Sequence, residues 1–286
     1  MLKTRVLTAL VGIPLFLLAI VTPGGWLLAL ALSLLAWAGL LEFTRVYNRA
    51  GELPRIAANP VLLTWGALLP LLPYWEDRIG DKGAGTGLWL ERSLLLALGF
   101  GFLWELGRSW RHPTRAVAYN LGLGLFAALY VGWLMAFGTR LRMELTPVNL
   151  SGWTLERGAL GLLWLMAMLW LGDSTAYFVG RAIGRHRLAP ALSPSKSWEG
   201  AIANLACCLL VGLIGADWLR LPLWKAGLIG AGVGVLGQLG DLFESSLKRA
   251  KGVKDFGGVL PGHGGVLDRF DSFLFSAPWV WWWLGN

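Results

Sequence analysis

The sequence comprises 286 residues, of which 56% are hydrophobic and 15% are charged, and it carries 18 tryptophans and a net charge of +8. Soluble domains are closer to one quarter charged, so this composition and its recurring apolar runs exclude a soluble protein and predict an all-α, polytopic transmembrane protein. The excess of Lys and Arg is expected to set membrane topology and to meet anionic lipid headgroups, and no nucleic-acid-binding motif accompanies it.

Apolar segments recur from one end of the chain to the other and predict about nine membrane spans. Pro60, Pro70 and Pro73 are expected to bracket or kink the third segment. The glycines between Gly227 and Gly237 predict close helix packing in the eighth. In chain order the nine segments cover residues 6–22, 26–42, 60–75, 93–106, 116–138, 158–180, 199–219, 223–243 and 271–284.

The distribution of basic residues predicts the orientation of these spans. An N-terminus in the cytoplasm places most of the 25 Lys and Arg residues on the cytoplasmic side, which favours N-in, C-out. We expect one membrane domain, 1–286. Within it, 1–157 provides N-terminal helices for scaffolding or oligomer contacts, and 158–286 provides catalytic helices and cytoplasmic loops.

The first polar motif in an apolar surrounding is GDSTAY at 172–177. Asp173 follows the apolar run LLWLMAMLWL, so its carboxylate lies inside the membrane or at its edge. Acids in membrane spans usually mark a functional site, although a carboxylate that hydrogen-bonds two helices together is the structural alternative.

A second motif, SPSKSWEG at 193–200, precedes the seventh span. Pro194 interrupts regular helix here, and serines with Lys196 cluster at the expected helix start. Hydroxyls, backbone N–H groups and an ammonium at a helix N-terminus form an anion site. The alternative is an ordinary serine N-cap beside a cytoplasmic lysine.

The most highly charged stretch runs from Gly240 to Ser272. If the eighth helix continues past Gly240, Asp241, Glu244 and Lys248 share one face, and Asp268 and Asp271 are likewise three residues apart. Clustered carboxylates with no zinc-type partners suit Mg²⁺, which takes one or two carboxylates together with waters and substrate phosphates. A ring of ion pairs with nearby Lys and Arg residues is the structural alternative.

The same stretch contains PGHGG, Pro261 to Gly265, a tight turn whose glycines leave backbone N–H groups accessible to a phosphate. His263 within it is a hydrogen-bond donor, a base or a turn residue. The sequence lacks a GxxxxGK[ST] loop, a GxSxG motif and a cysteine nucleophile. Phosphoryl chemistry that depends on metal ions and positioning requires none of these.

These motifs resemble one known family. Ser245 to Arg249, Lys254-Asp255 and PGHGGVLDRFDS at 261–272 are similar to the signature of phosphatidate cytidylyltransferases, and the 172–177 and 193–200 motifs resemble that family's internal motifs in the right order. The resemblance implies that CTP and phosphatidate give CDP-diacylglycerol and pyrophosphate. The lipid phosphate is then the nucleophile, and metal ions offset the repulsion between two polyanions.

The resemblance also implies roles for individual residues and a Mg²⁺ cofactor, with a second, monovalent cation such as K⁺ as an option. The metal ligands it implies are Asp241 and Asp268, with Asp173, Glu244 and Asp271 as second ligands or orienting groups. The catalytic set is Asp241, Asp268, Lys248, Arg249 and His263. The substrate-binding set is Ser193, Lys196, Ser197, Glu199, Lys254, Asp255, Gly264, Gly265 and Arg269.

The expected partners are CTP and phosphatidate within the bilayer, with no nucleic acid and with a homodimer as an option. The expected location is a bacterial cytoplasmic membrane, with the active site facing the cytoplasm.

Two other functions compete with this one. A CTP-dependent polyprenol or lipid kinase releases CDP instead of pyrophosphate. A cation transporter also carries acids in its spans, but it is expected to show two related halves, which this sequence lacks.

Overall fold

The computed structural model describes residues 2–48, 58–79, 87–111, 116–143, 147–150, 153–259, 261–262 and 264–285. Helices make up most of this part of the chain, so the all-α prediction is confirmed. Two short antiparallel hairpins, which were not predicted, accompany the helices. The helices of the first half are α1 Leu2–Val21, α2 Trp26–Tyr47, α3 Pro60–Leu68, α4 Leu72–Ile79, α5 Gly87–Arg111, α6 Val117–Ala127 and α7 Leu134–Met143.

The second half begins at the first hairpin, β1 Pro147–Leu150 and β2 Trp153–Glu156, and continues into a long helix, α8 Arg157–Ile183. The second hairpin, β3 Arg187–Ala189 and β4 Ser193–Ser197, is irregular between Arg187 and Ala189 and leads directly into the next helix. The remaining helices are α9 Trp198–Ile214, α10 Ala216–Leu219, α11 Leu223–Ala250 and α12 Leu267–Gly285.

Four helical segments among the described residues are long and apolar enough to cross a membrane. Two shorter apolar helices, Thr8–Val21 and Trp198–Ile214, accompany them. This pattern supports an all-α membrane protein, whereas the count of nine spans and their orientation stay predictions. The four long segments are Trp26–Tyr47, Val117–Met143, Arg157–Ile183 and Leu223–Ala250.

Proline controls the helix break predicted for the third apolar segment. Pro60 is the first residue of α3, where its missing N–H is not needed, and Asn59 caps the helix by accepting hydrogen bonds from Val61 N and Leu62 N. A 3₁₀ turn, Leu69–Leu71, then separates α3 from α4 because Pro70 and Pro73 cannot donate to the helical ladder. The segment is therefore helical but divided.

Buried polar side chains join three helices of the first half. Glu105 of α5 is almost fully buried and accepts hydrogen bonds from the amides of Asn59 (3.2 Å) and Asn120 (3.3 Å). Arg108 adds an ion pair at 2.8 Å. Because the carboxylate of Glu105 has a partner for each oxygen, this cluster stabilises the packing of α3, α5 and α6.

Glycine allows the helices of the second half to pack closely, as predicted for α11. A Cβ atom on Gly230 would lie 2.5 Å from the carbonyl oxygen of Cys208, and one on Gly234 would lie 2.9 Å from Cα of Leu205. Backbone contact at this range is available only to glycine. The close packing of α9 on α11 brings the end of β4 and the middle of α11 to the two sides of one cavity.

Candidate active site

A polar cavity of about 880 Å³ lies between α8, the β3–β4 hairpin, α9 and α11. Its wall carries both acids and bases within an otherwise apolar protein. Such a concentration of charge beside a membrane marks a functional site. The charged and amide side chains in the lining are Asp173, Arg181, Arg187, Lys196, Asn204, Gln238 and Asp241.

An ion pair between Lys196 and Asp241 crosses this cavity, with Nζ and Oδ2 separated by 2.5 Å. Strand β4 holds Lys196, and α11 holds Asp241 at the point where its glycine-rich face ends. Both side chains are partly exposed, at 25% and 35%. The pair is therefore accessible to a ligand that offers a phosphate to the lysine and a cation to the carboxylate.

Asp173 on α8 faces the same cavity and is held by a chain of amides. Asn204 Nδ2 donates to Asp173 Oδ1 at 3.3 Å, and Gln238 Nε2 donates to Asn204 Oδ1 at 3.4 Å. The Gln238 amide is also fixed by the carbonyl groups of Ala201 and Gly234. The predicted helix-bridging hydrogen bond is thus present, and it places a carboxylate in the cavity wall.

A second cluster lies further along α11, around Lys248. Its ammonium contacts Glu244 Oε1 at 3.0 Å and Asp268 Oδ1 at 2.8 Å. The continuation of α11 to Ala250 places Asp241, Glu244 and Lys248 on one face, as predicted. Glu244 is fully buried, so Lys248 offsets the charge of two carboxylates removed from water.

Backbone N–H groups complete the surroundings of Asp268. Its Oδ2 accepts hydrogen bonds from Gly265 N (2.9 Å) and Phe256 N (3.2 Å), so the loop before α12 closes around it. Asp268 precedes the last apolar segment, 271–284. Burial disfavours its charged form, but the hydrogen bond and charge of Lys248 and the Gly265 N–H outweigh burial and lower the pKa of Asp268.

Asp271, at the start of the last predicted span, lies against α11, because a Cβ atom on Gly240 would be 2.5 Å from the carbonyl oxygen of Asp271. No three His, Cys, Asp or Glu side chains of the described residues converge as a complete metal-binding group. One or two carboxylates are what Mg²⁺ requires when substrate phosphates and water supply its other ligands.

The whole chain matches a known family. A family model described as the cytidylyltransferase family covers residues 3–285. The chain belongs to the cytidylyltransferase family. It is 32% identical to a phosphatidate cytidylyltransferase of Synechocystis sp. over 96% of this chain and 94% of the relative. Phosphatidate cytidylyltransferases of Staphylococcus saprophyticus (32% identical) and Staphylococcus aureus strain COL (31%) match over 96% of each chain.

Two of the predicted substrate-binding residues, Ser197 and Glu199, make hydrogen bonds that stabilise the local backbone. The Ser197 hydroxyl accepts a hydrogen bond from Gly200 N at 3.2 Å, so Ser197 is the N-cap of α9 while also lining the cavity. Glu199 accepts from His186 N and contacts His186 Nδ1 at 2.7 Å. The carboxylate of Glu199 thereby fixes the turn before β3 and does not line the cavity.

The other predicted site residues lie outside the cavity wall. Ser193 and Gly264 are partly buried, and Gly265 is buried against Asp268. The guanidinium of Arg249 donates to the Val253 carbonyl, which caps the loop after α11. His263 falls outside the described residues. The exposed members of the predicted set are Arg249, Lys254, Asp255 and Arg269.

Several cavity residues were missed by the sequence analysis. Arg181 and Arg187 were counted only as cytoplasmic charges, although both line the cavity beside Lys196. Asn204 and Gln238 lie in apolar helices and belong to no motif. The only signal for them in the sequence is that each is a polar residue with apolar neighbours. Glu42, in the first half, was also missed, and it lies against the loop that precedes α12.

Proposed function

We propose that this protein is a phosphatidate cytidylyltransferase, which converts CTP and phosphatidate to CDP-diacylglycerol and pyrophosphate. The observation that carries the proposal is the Lys196–Asp241 pair, which faces a cavity rimmed by two arginines in a chain of the cytidylyltransferase family. The relatives named phosphatidate cytidylyltransferase extend over nearly the full chain, which supports the same substrates here. Identification of the lipid product formed from labelled CTP tests it.

The chemistry requires no nucleophile from the protein. A phosphate oxygen of phosphatidate attacks the α-phosphorus of CTP, the new P–O bond forms, and the bond to the β-phosphate breaks as pyrophosphate leaves. Arg181, Arg187 and Lys196 are positioned to hold the phosphates of CTP, because all three line the cavity.

The proposal includes a Mg²⁺ ion held by carboxylates. Asp241 is partly exposed in the cavity and already faces the ammonium group of Lys196. We infer that Asp241 and Asp268 hold Mg²⁺, with Asp173, Glu244 and Asp271 as second ligands or orienting groups, and that K⁺ is an optional second ion. Bound Mg²⁺ would stabilise charge on the phosphates during transfer.

Removal of divalent cations is expected to abolish activity. Treatment with EDTA should reduce CDP-diacylglycerol formation to background, because the carboxylates alone repel the two polyanionic substrates. Mg²⁺ or Mn²⁺ should restore it, and the measurement is initial rate against free metal concentration. Full activity in EDTA would show that the reaction does not require a divalent cation.

Substitution of Lys196 is expected to weaken the use of CTP. Lys196→Met should raise KM for CTP by about tenfold to a hundredfold, since a hydrogen bond to a charged group contributes about 1.5–3 kcal/mol. Lys225→Met is the matched control. Lys225 lies near the start of α11, at the end opposite Asp241, so its loss should leave KM for CTP unchanged. Steady-state kinetics with CTP varied at saturating phosphatidate distinguish the two. If KM for CTP is the same in both variants, Lys196 does not bind CTP and serves only as a positive charge that sets membrane topology.

We propose nine spans oriented N-in and C-out, with the active site facing the cytoplasm of a bacterial cell. In a background with Cys207 and Cys208 replaced by alanine, cysteines at positions 189 and 258 should be labelled only from the cytoplasmic side. A cysteine at position 285 should be labelled only from outside, as the basic-residue distribution predicts. The test uses a membrane-impermeant maleimide on intact cells and inverted vesicles. Labelling of positions 189 and 258 from opposite faces would contradict the orientation.

We also propose the division into a scaffold of 1–157, which would provide the contacts of a homodimer, and a catalytic part of 158–286. The cavity residues support it, since all of them lie in 173–272. The two parts are in contact, since Glu42 of α2 accepts a hydrogen bond from Leu267 N at the start of α12 and Tyr47 donates to the Leu247 carbonyl.

A further inference from the structure

A fully buried acid from the first half of the chain packs against the loop between α11 and α12, residues 251–266. Glu42 is on α2, has no exposed surface, and lies 225 residues away in sequence from its hydrogen-bond donor, Leu267 N. A buried carboxylate is costly unless it is hydrogen-bonded, paired or neutralised, and none of the chemistry described above uses Glu42.

The two oxygens of Glu42 contact the two arms of the loop between α11 and α12. A Cβ atom on Gly257 would lie 2.6 Å from Oε1, and one on Gly265 would lie 2.6 Å from Oε2. Leu267 N, at the start of α12, donates to Oε2 at 3.3 Å. Both arms therefore approach this carboxylate so closely that a Cβ atom on either glycine would force the Glu42 side chain to move.

The same loop holds Asp268. Gly265 N donates to Asp268 Oδ2 at 2.9 Å, and Phe256 N donates to the same oxygen at 3.2 Å. Phe256 is buried, and its ring packs against Phe43, the residue after Glu42, with centroids 5.8 Å apart. Two consecutive residues of α2 thus fix the residues whose N–H groups surround Asp268.

We propose that Glu42 is a positioning residue for catalysis, which acts through Gly257 and Gly265 to hold Asp268. The inference rests on the proposed function, because Asp268 is assigned there as a metal ligand. Displacement of about 1 Å at such a group lowers turnover by about 10²-fold. Glu42 is not among the residues that line the cavity, so its loss should lower kcat while KM for CTP stays nearly constant.

The first test compares Glu42→Ala with Glu105→Ala in the full-length protein. Each removes a buried, hydrogen-bonded carboxylate from the first half, and Glu105 lies in the α3–α5–α6 cluster remote from the loop. Glu42→Ala should lower kcat per folded molecule by about 10²-fold. Glu105→Ala should lower thermal stability with kcat per folded molecule unchanged. Glu42→Gln, which keeps the volume and an acceptor oxygen, should retain most activity.

The second test compares two adjacent glycines, and its two single variants do not depend on the folding of Glu42→Ala. Gly257→Ala forces a methyl group against Glu42, whereas a Cβ on Gly258 has nothing within 4 Å. Gly257→Ala should lose about tenfold or more in kcat, while Gly258→Ala should match the wild type. Combination of Gly257→Ala with Glu42→Ala should be no worse than Glu42→Ala alone, since the two residues act through one contact.

The outcomes separate this inference from the proposed function. If the wild type forms CDP-diacylglycerol but Gly257→Ala and Gly258→Ala have equal kcat, Glu42 does not position the loop. Additive losses in the Gly257→Ala, Glu42→Ala double variant would also overturn it. If the wild type forms no CDP-diacylglycerol, the proposed function fails independently of Glu42.

Discussion

Asp241→Asn and Asp268→Asn are each expected to lower turnover per folded molecule by about 10³-fold, as does loss of a major electrostatic element of an active site. The two residues lie 27 positions apart but on neighbouring helices, α11 and α12. If both hold one metal ion, removal of either disables the same unit, so the double variant should be little worse than either single variant. The measurement is initial rate normalised to monodisperse protein.

Two controls make that expectation specific. Asn fills nearly the same volume as Asp, so both single variants should insert and purify normally. Asp217→Asn alters an exposed carboxylate on α10 that belongs to no predicted site and is expected to have a much smaller effect on turnover. Substantial turnover in either Asp241→Asn or Asp268→Asn would remove that residue from the metal site. Losses that multiply in the double variant would show that the two acids act separately.

Lys248→Met is expected to lower the free energy of unfolding by about 3–5 kcal/mol, the usual cost of an uncompensated buried charge. Lys248 contacts Glu244 and Asp268, and the Glu244 carboxylate is fully buried. Thermal unfolding monitored by size-exclusion chromatography in detergent provides the measurement.

The control for Lys248→Met is Lys225→Met, which removes a lysine from the other end of α11 and should leave the unfolding temperature nearly unchanged. A triple variant that combines Lys248→Met with Glu244→Gln and Asp268→Asn should recover much of the lost stability, because the buried charges are then removed together. Equal stability of Lys248→Met and the wild type would mean that these carboxylates do not depend on Lys248.

The local sequence predicted the features that depend on periodicity and on proline. The common face of Asp241, Glu244 and Lys248 follows from helical spacing once α11 continues past Gly240, and the broken third segment follows from Pro70 and Pro73. In each case the information lies within a few residues of the element that it determines.

Contacts between distant segments could not be predicted in this way. Nothing near Glu42 indicates that a loop 225 residues away will pack on it, because the contact depends on how α2 and α12 pack. Similarly, the sequence grouped Lys196 with an anion site at the start of α9, whereas the β3–β4 hairpin directs it toward Asp241 on α11. The family resemblance indicated the reaction. Only the three-dimensional arrangement shows that Asp241 pairs with Lys196 whereas Glu244 and Asp268 pair with Lys248.

The central claim is the transfer of a cytidylyl group to phosphatidate, and the fate of labelled CTP tests it most directly. Purified protein in mixed micelles with phosphatidate, Mg²⁺ and CTP labelled at the α-phosphorus is predicted to form labelled CDP-diacylglycerol with one pyrophosphate released for each lipid. Label from the γ-phosphorus in the lipid, with release of CDP, would instead show a lipid kinase. Absence of CTP consumption by folded protein would contradict the assignment as an enzyme of this type.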